Sequence, residues 1–227
     1  MSEFMNESDI PEVSRLYAQV FAGPPWNEYT ICKKGRFFGL DTEPEQVCGC
    51  GCRSRLTLAY PEDKTVGYIT KEMNKRDARG VVIREDSEII GFAWGYRCSP
   101  GELTREKYRT RQMRQAINKL LKYEVWLFYY SECGVRNDKR GRGLSNELAE
   151  SLESAAAIIN WPMVMRTNYQ SPMVAVAEYL GMEQIMGPSV EVDRRNRIIR
   201  TTGDYVNGIK DTENEDRVLF VLDKYTY

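Results

Sequence analysis

A chain of 227 residues with 42% hydrophobic and 29% charged residues is long enough to bury one sizeable core and too apolar to be disordered. Its formal net charge of −1 gives no general attraction for nucleic acid or acidic membranes, so any anion site must be local. The chain contains no histidine, which removes imidazole from catalysis and metal binding and leaves Glu, Asp, Tyr, Cys or the substrate itself for proton transfer.

The opening MSEFMNESDI is acidic and lacks the apolar run of a signal sequence. The longest apolar stretch, VWLFYY, is far too short to span a bilayer, and a cytoplasmic location is expected. Ile10, Val13, Leu16, Tyr17 and Val20 recur at helical spacing and are closed by Gly23-Pro24-Pro25. Four of the six cysteines then fall together, Cys32, Cys48, Cys50 and Cys52, in an excursion covering about residues 31–60. Four thiolates can close a tetrahedral zinc site, but the C-x-C-x-C alternation is not the paired C-x-x-C pattern. Structural zinc, free reduced thiols and redox pairing therefore all stay open. Cys98 and Cys133, in or beside strands, read as small buried hydrophobes.

A second helix is expected where Val66, Ile69 and Met73 recur. A hairpin follows, with strands over 81–83 and 89–96 and a polar turn over 85–87. Leu103, Met113, Ile117, Leu120 and Leu121 mark the apolar side of one helix over 101–123. The aromatic VWLFYYSECGV is a strand buried on both faces; a glycine loop and a helix over 144–159 come next. Strand MVMRTN, helix PMVAVAEYL, strand MEQIM and a last strand RVLFVLDKYTY complete the alternation, with a polar hairpin or loop over 194–216. The expected fold class is α/β (α+β), a mixed central sheet flanked by helices, forming a single domain over 1–227 with the Cys-rich insert.

The glycine loop carries the most chemistry. Arg136, Lys139, Arg140 and Arg142 crowd around Gly141 and Gly143 just before a helix. A helix start already holds partial positive charge and unpaired N–H groups, so cations there call for an anion, a phosphate by the usual chemistry. Neither the Gly-Lys-Ser/Thr ending of a P-loop nor the three-glycine dinucleotide fingerprint is present, so the ligand is neither a nucleoside triphosphate nor NAD. A tight turn with no ligand would use the same glycines.

The order of features, hairpin, aromatic strand ending at Val135, R-x-x-G-x-S over 140–145, amphipathic helix, strand, Asn168, then a helix ending in YLGM, resembles the GNAT acyltransferase superfamily. The likeness covers residues 80–182 and, more loosely, 9–30. Asn137 stands where a proline is common and Ser145 where Gly or Ala is usual. The resemblance implies an acetyl-CoA-dependent N-acetyltransferase in which a primary amine attacks the thioester directly. It gives Cys133 and Val135 to the pantetheine through their backbone, and Arg140, Gly141, Arg142, Gly143, Leu144 and Ser145 to the pyrophosphate. Asn168 falls on the cofactor side as well.

Glu132 is then the candidate base, with Glu124 as substitute; the same carboxylate could instead pair with an arginine nearby. Ala177 occupies the position where relatives carry the tyrosine that protonates the thiolate, leaving Tyr179, Tyr169 or water. A small-molecule amine, a polyamine, a peptide N-terminus and a lysine side chain all remain open as acceptor, as does the oligomeric state, a homodimer included. The rival class is a catalytically weak GNAT-like binding module for nucleic acid or protein with a zinc-stapled insert. It draws on seven cations against one acid over residues 105–122.

Overall fold

The computed structural model describes residues 1–121, 125–157, 161–192, 198–211 and 214–222. In chain order the elements are β1 (Ser2–Phe4), α1 (Ile10–Ala22), β2 (Thr30–Ile31), β3 (Phe37–Phe38), β4 (Thr57–Leu58), α2 (Glu62–Met73), β5 (Arg79–Glu85), β6 (Glu88–Cys98), α3 (Pro100–Lys107) and α4 (Arg111–Leu120). They continue as β7 (Leu127–Val135), α5 (Leu144–Ala157), β8 (Met163–Asn168), α6 (Met173–Tyr179), β9 (Glu183–Val192), β10 (Ile198–Val206) and β11 (Arg217–Leu222). Eight strands form one mixed sheet in the order β1-β5-β6-β7-β8-β11-β9-β10, and β2, β3 and β4 form a separate three-stranded sheet.

The helices cover both faces of the large sheet. On one face, α1 and α2 pack Val13, Leu16, Tyr17, Val20 and Ile69 on Phe92 and Trp94. Farther along that face, α3 and α4 pack Leu103, Met113 and Ile117 on Tyr96, Leu127 and Tyr129. The other face takes Leu148, Ala149 and Leu152 of α5 and Val174 and Ala177 of α6 against Ala93, Phe128, Tyr130 and Met165. Fully burying aliphatic and aromatic side chains of this size stabilises the fold by about 1.5–3 kcal/mol each.

The expected hairpin is present, with Asp86 and Ser87 at φ of 51° and 69° forming the tight turn between β5 and β6. The expected single helix over 101–123 is two helices. Tyr108 is extended at φ −131°, ψ 125°, and Thr110 starts α4 by accepting from the Met113 N–H at 3.3 Å. Burial of the Tyr108 ring, 1% exposed, outweighs helical continuity there. β1 and the three strands of the small sheet, two or three residues each, had no readable alternation. β9 runs past the expected MEQIM strand to pair with β10, so the polar stretch is partly a strand. The ends of the expected helix over 144–159 and of the last strand lie outside the described residues. Among the described residues no helix is long and apolar enough to cross a membrane.

Two irregularities in β7 create the site. Trp94 pairs with Glu132 and Gly95 with Tyr130, so Ser131 is an extra residue, a β-bulge. Ser131 and Glu132 consequently both face α2, where Ser131 donates to Glu72 at 2.8 Å and Glu132 accepts from Tyr68 at 2.9 Å. The second irregularity is the parallel pairing of β7 with β8, which covers only Phe128–Met163, Tyr129–Val164 and Tyr130–Met165. Beyond Tyr130 the two strands part and leave an open wedge.

Candidate active site

The wedge joins two cavities that share Trp26, Cys133 and Met173. The larger, about 620 Å³, is lined by Cys133, Gly134, Val135, Arg140, Gly141, Gly143, Leu144 and Ser145, and on the far wall by Tyr169 to Met173 with Val176. The smaller, about 260 Å³, holds Glu132 among Tyr17, Phe21, Phe37, Tyr60 and Tyr129, with Glu28, Lys107, Arg166 and Arg217.

The backbone of β7 faces the wedge at alternate residues. The Arg136 N–H donates to Ile90 on β6 at 2.9 Å, so by the strand's period of two the polar groups of Cys133 and Val135 point the other way, toward β8. After Val135, Gly141 and Gly143 both adopt φ +78°, a conformation that L side chains rarely hold. Asn146 and Glu147 direct their N–H groups to the Gly143 carbonyl at 3.0 and 3.1 Å. Among the described residues, the N–H groups of Gly141, Arg142, Gly143, Leu144 and Ser145 have no protein acceptor, and they surround the mouth of α5. This is a cradle for an anion built from backbone.

The cations of the loop play a different part from the one their sequence suggests. Lys139 and Arg142 both pair with Glu85, Arg142 at 2.9 Å, and Arg136 binds Glu88 and Asp138 at 2.9 and 2.7 Å. Arg140 donates to the Val135 carbonyl at 3.2 Å and to the Pro24 carbonyl at 3.3 Å, tying the loop after α1 to the end of β7. Four cations at the helix start are thus answered by protein carboxylates and carbonyls.

Glu132 is the best-placed titratable group. Burial pushes its carboxyl up to about 7; the Lys107 ammonium and the Tyr68 hydroxyl pull it down, and Glu72 and Glu28 push it up. The alternative pairing with an arginine is not what the structure shows: the contact is Tyr68. Glu28 is also raised by burial, opposed by the hydrogen bond from Tyr60 and the charge of Arg217. Behind Ser131 a chain of contacts runs from Glu72 to Lys75 at 2.6 Å and from Lys75 to Glu106 at 3.1 Å; Lys107 meets Glu106 at 3.2 Å. Arg166 pairs with the buried Asp211 at 2.7 Å, while the Arg217 guanidinium lies over the Trp26 ring at 5.4 Å.

Two expected site residues sit elsewhere. Tyr179 is 53% exposed and its hydroxyl is on Glu150 of α5, away from both cavities, because its position on α6 turns it to the outer side. Asn168 uses its side chain to accept from the Gln170 N–H at 2.8 Å, shaping the turn into α6 rather than lining a cavity. The Arg142 guanidinium is held outside by Glu85, while its backbone N–H belongs to the cradle. Glu124 lies outside the described residues. Tyr68, Glu28, Tyr60, Lys107 and Arg217 were not expected; they come from five separate segments and meet only in the fold.

No protein-family model matches the chain, and no curated protein matches it by sequence. Solved structures do. An agmatine N-acetyltransferase variant in its apo form is 13% identical, with 98% of each chain covered and a TM-score of 0.56. The Drosophila melanogaster polyamine N-acetyltransferase, which forms N-acetylagmatine, is 11% identical over 98% of each chain, with a TM-score of 0.54. A GNAT-superfamily phosphinothricin acetyltransferase from Sinorhizobium meliloti, solved with acetyl-CoA, is 11% identical over 98% of this chain and 86% of its own, with a TM-score of 0.52. At such identity the likeness is one of backbone architecture, and by it the chain has the GNAT acetyltransferase fold.

Proposed function

We propose that the protein is an acyl-CoA-dependent N-acyltransferase, with acetyl-CoA as donor and a small primary amine as acceptor. The observation that carries this reading is the wedge between β7 and β8, with an anion cradle at one end and a carboxyl held near neutral pH at the other. The larger cavity takes the pantetheine against the backbone of Cys133 and Val135, and the N–H groups of residues 141–145 take the pyrophosphate. The thioester then lies at the junction by Cys133, within reach of an amine in the smaller cavity.

Glu132 removes one proton from the bound ammonium, and the freed lone pair attacks the thioester carbonyl to form the C–N bond. The N–H groups facing the wedge stabilise the oxyanion. On collapse the C–S bond breaks, its electron pair leaves on the CoA sulfur, and the second proton lost from nitrogen passes through water to that thiolate. Tyr179 has no part in this scheme.

The smaller cavity also bears on the acceptor. Lys107 and Arg166 each have a carboxylate partner, whereas Arg217 has no ion pair within 4 Å among the described residues. An acceptor that carries an anionic group beside its amine satisfies that guanidinium, and the aromatic walls of Tyr17, Phe21 and Tyr60 accommodate an apolar portion. The structural neighbours named for agmatine and polyamines act on acceptors without such a group. The rival reading as a nucleic-acid module loses its continuous basic helix at Tyr108. Thiol release from acetyl-CoA across a panel of amino acids, simple amines and polyamines tests the proposal. Turnover is expected with amino-acid-like amines; absence of release with every amine, together with no binding of CoA, would overturn it.

A further inference from the structure

The excursion between α1 and α2 is held together by very little. Its buried cluster consists of Cys32, Cys48 and Leu56, with Phe38, Cys50 and Cys52 partly buried against it. Its three strands have two residues each. One leucine and a few thiols cannot offset the conformational entropy of ordering some thirty residues, and small units of this kind are normally stapled by disulfides or a metal.

The four thiols converge: all four Sγ atoms lie within 4.8 Å of one another, and none is in a disulfide. Cys48 Sγ is 3.0 Å and Cys32 Sγ 3.8 Å from Cys50 Sγ. Tetrahedral zinc with Zn–S bonds of about 2.3 Å places its sulfurs slightly under 4 Å apart, so small side-chain adjustments complete the geometry. The backbone is already shaped for it. Gly35 at φ +72° turns the chain back after Cys32, its N–H donating to the Cys32 carbonyl at 2.8 Å, and Gly51 at φ +79° makes the turn between Cys50 and Cys52. The Cys50 N–H donates to Cys48 Sγ at 3.3 Å, a bond that orients a thiolate ligand. A four-thiolate zinc centre carries two net negative charges, and Lys33, Lys34, Arg36, Arg53 and Arg55 surround it in sequence.

The same excursion forms a wall of the smaller cavity. Glu28 enters it, Phe37 sits on β3, and Tyr60 follows β4; Phe37 stacks on Tyr60 with centroids 6.4 Å apart, and Tyr60 donates to Glu28. We propose that Cys32, Cys48, Cys50 and Cys52 bind one structural zinc ion, and that this ion holds the segment from Glu28 to Tyr60 as the fixed lid of the acceptor cavity. The metal assignment is independent of the acyl-transfer reading; the lid's role as acceptor wall rests on it.

The test uses the full chain, purified without chelator and reconstituted with zinc. Elemental analysis should give one zinc per chain, and cobalt(II) in its place should show the intense visible bands of a tetrahedral thiolate site. Removing the metal should lower hydrogen-exchange protection by on the order of a hundredfold at the Tyr29, Cys48, Leu56 and Ala59 amides, which bond only inside the excursion. Protection in β6 and β7 and the calorimetric affinity for CoA should stay unchanged. Cys52→Ser, at the more exposed ligand, should reproduce the effect, and chelation of the wild type serves if that variant does not fold. No zinc taken up on reconstitution, with four freely titrating thiols, overturns the site. Zinc bound with no change in protection on its removal, or loss of CoA affinity along with it, overturns the lid. Failure of CoA to bind either form, with zinc and lid protection intact, would sink the acyl-transfer reading and leave the metal site standing.

Discussion

Replacing Glu132 by Gln keeps the shape of the strand and an acceptor for the Tyr68 hydroxyl but removes the group that deprotonates the ammonium in the proposed reaction. With its carboxyl at about 7, the wild-type enzyme has roughly half of its base available at neutral pH, and kcat/KM should rise through pH 7 and level off above it. The variant must wait for acceptor that is already deprotonated. For an amine of pKa about 10.4 the free-base fraction is ~10⁻³ at pH 7.4 and ~10⁻¹ at pH 9.4. The expected loss is therefore ~10³ at pH 7.4, about 4 kcal/mol of transition-state stabilisation, shrinking to about tenfold at pH 9.4. Thiol release measured across that pH range with saturating acetyl-CoA reads both values. A variant whose profile runs parallel to the wild type, with the same limb near pH 7, would refute the reasoning, because the limb would then belong to another group.

The same substitution should act on stability with a definite sign. A carboxyl whose folded pKa is raised from 4.5 to about 7 stays protonated in the native state while the unfolded chain releases its proton, so it costs stability progressively between those pH values and by a constant amount above them. Glu132→Gln should thus unfold later than the wild type at pH 8, by about 1–2 kcal/mol once screening by the open cavity is allowed for, and equally at pH 4; urea melts at the two pH values check this. Tyr68→Phe removes a hydrogen bond that favours the carboxylate, so the kinetic limb should move above pH 7; a limb that stays in place or falls would contradict the contact. Gly143→Glu puts a carboxylate among the free N–H groups and a side chain on a φ of +78°, and CoA affinity by calorimetry should fall at least about a hundredfold; unchanged affinity would remove the cradle.

The parts of the molecule that repeat a pattern were open to reading. Val13, Leu16, Tyr17 and Val20 do form the buried stripe of α1, and Asp86-Ser87 does turn the hairpin, because helical and two-residue periods are properties of neighbouring residues. The glycine loop was legible for the same reason. What could not be read depends on contacts across the fold. Tyr108 breaks a helix because its ring is wanted in the core under α3 and α4, a demand that no local window records. The partners of Arg136, Lys139 and Arg142 are Glu85, Glu88 and Asp138, and only Asp138 is near in sequence, so the loop looked far more cationic than it is. Glu132 was selected for its place just before the expected cofactor contacts, but the groups that set its proton affinity, Lys107, Tyr68, Glu72 and Glu28, lie on three other segments, Tyr68 and Glu72 sharing α2.

The single unpaired residue at Ser131 works like a shift of reading frame along β7. Upstream of it, odd-numbered side chains such as Leu127 and Tyr129 point toward the helices α3 and α4; downstream, the odd-numbered Cys133 packs against the opposite core and the even-numbered Glu132 takes the near side. Because Tyr130 and Glu132 already stand opposite the consecutive residues Gly95 and Trp94, deleting Ser131 would straighten the strand and leave the acid and the thiol on their present sides. What the extra residue adds is a second polar side chain on the near side, the Ser131 hydroxyl on Glu72 beside the Glu132 carboxyl on Tyr68.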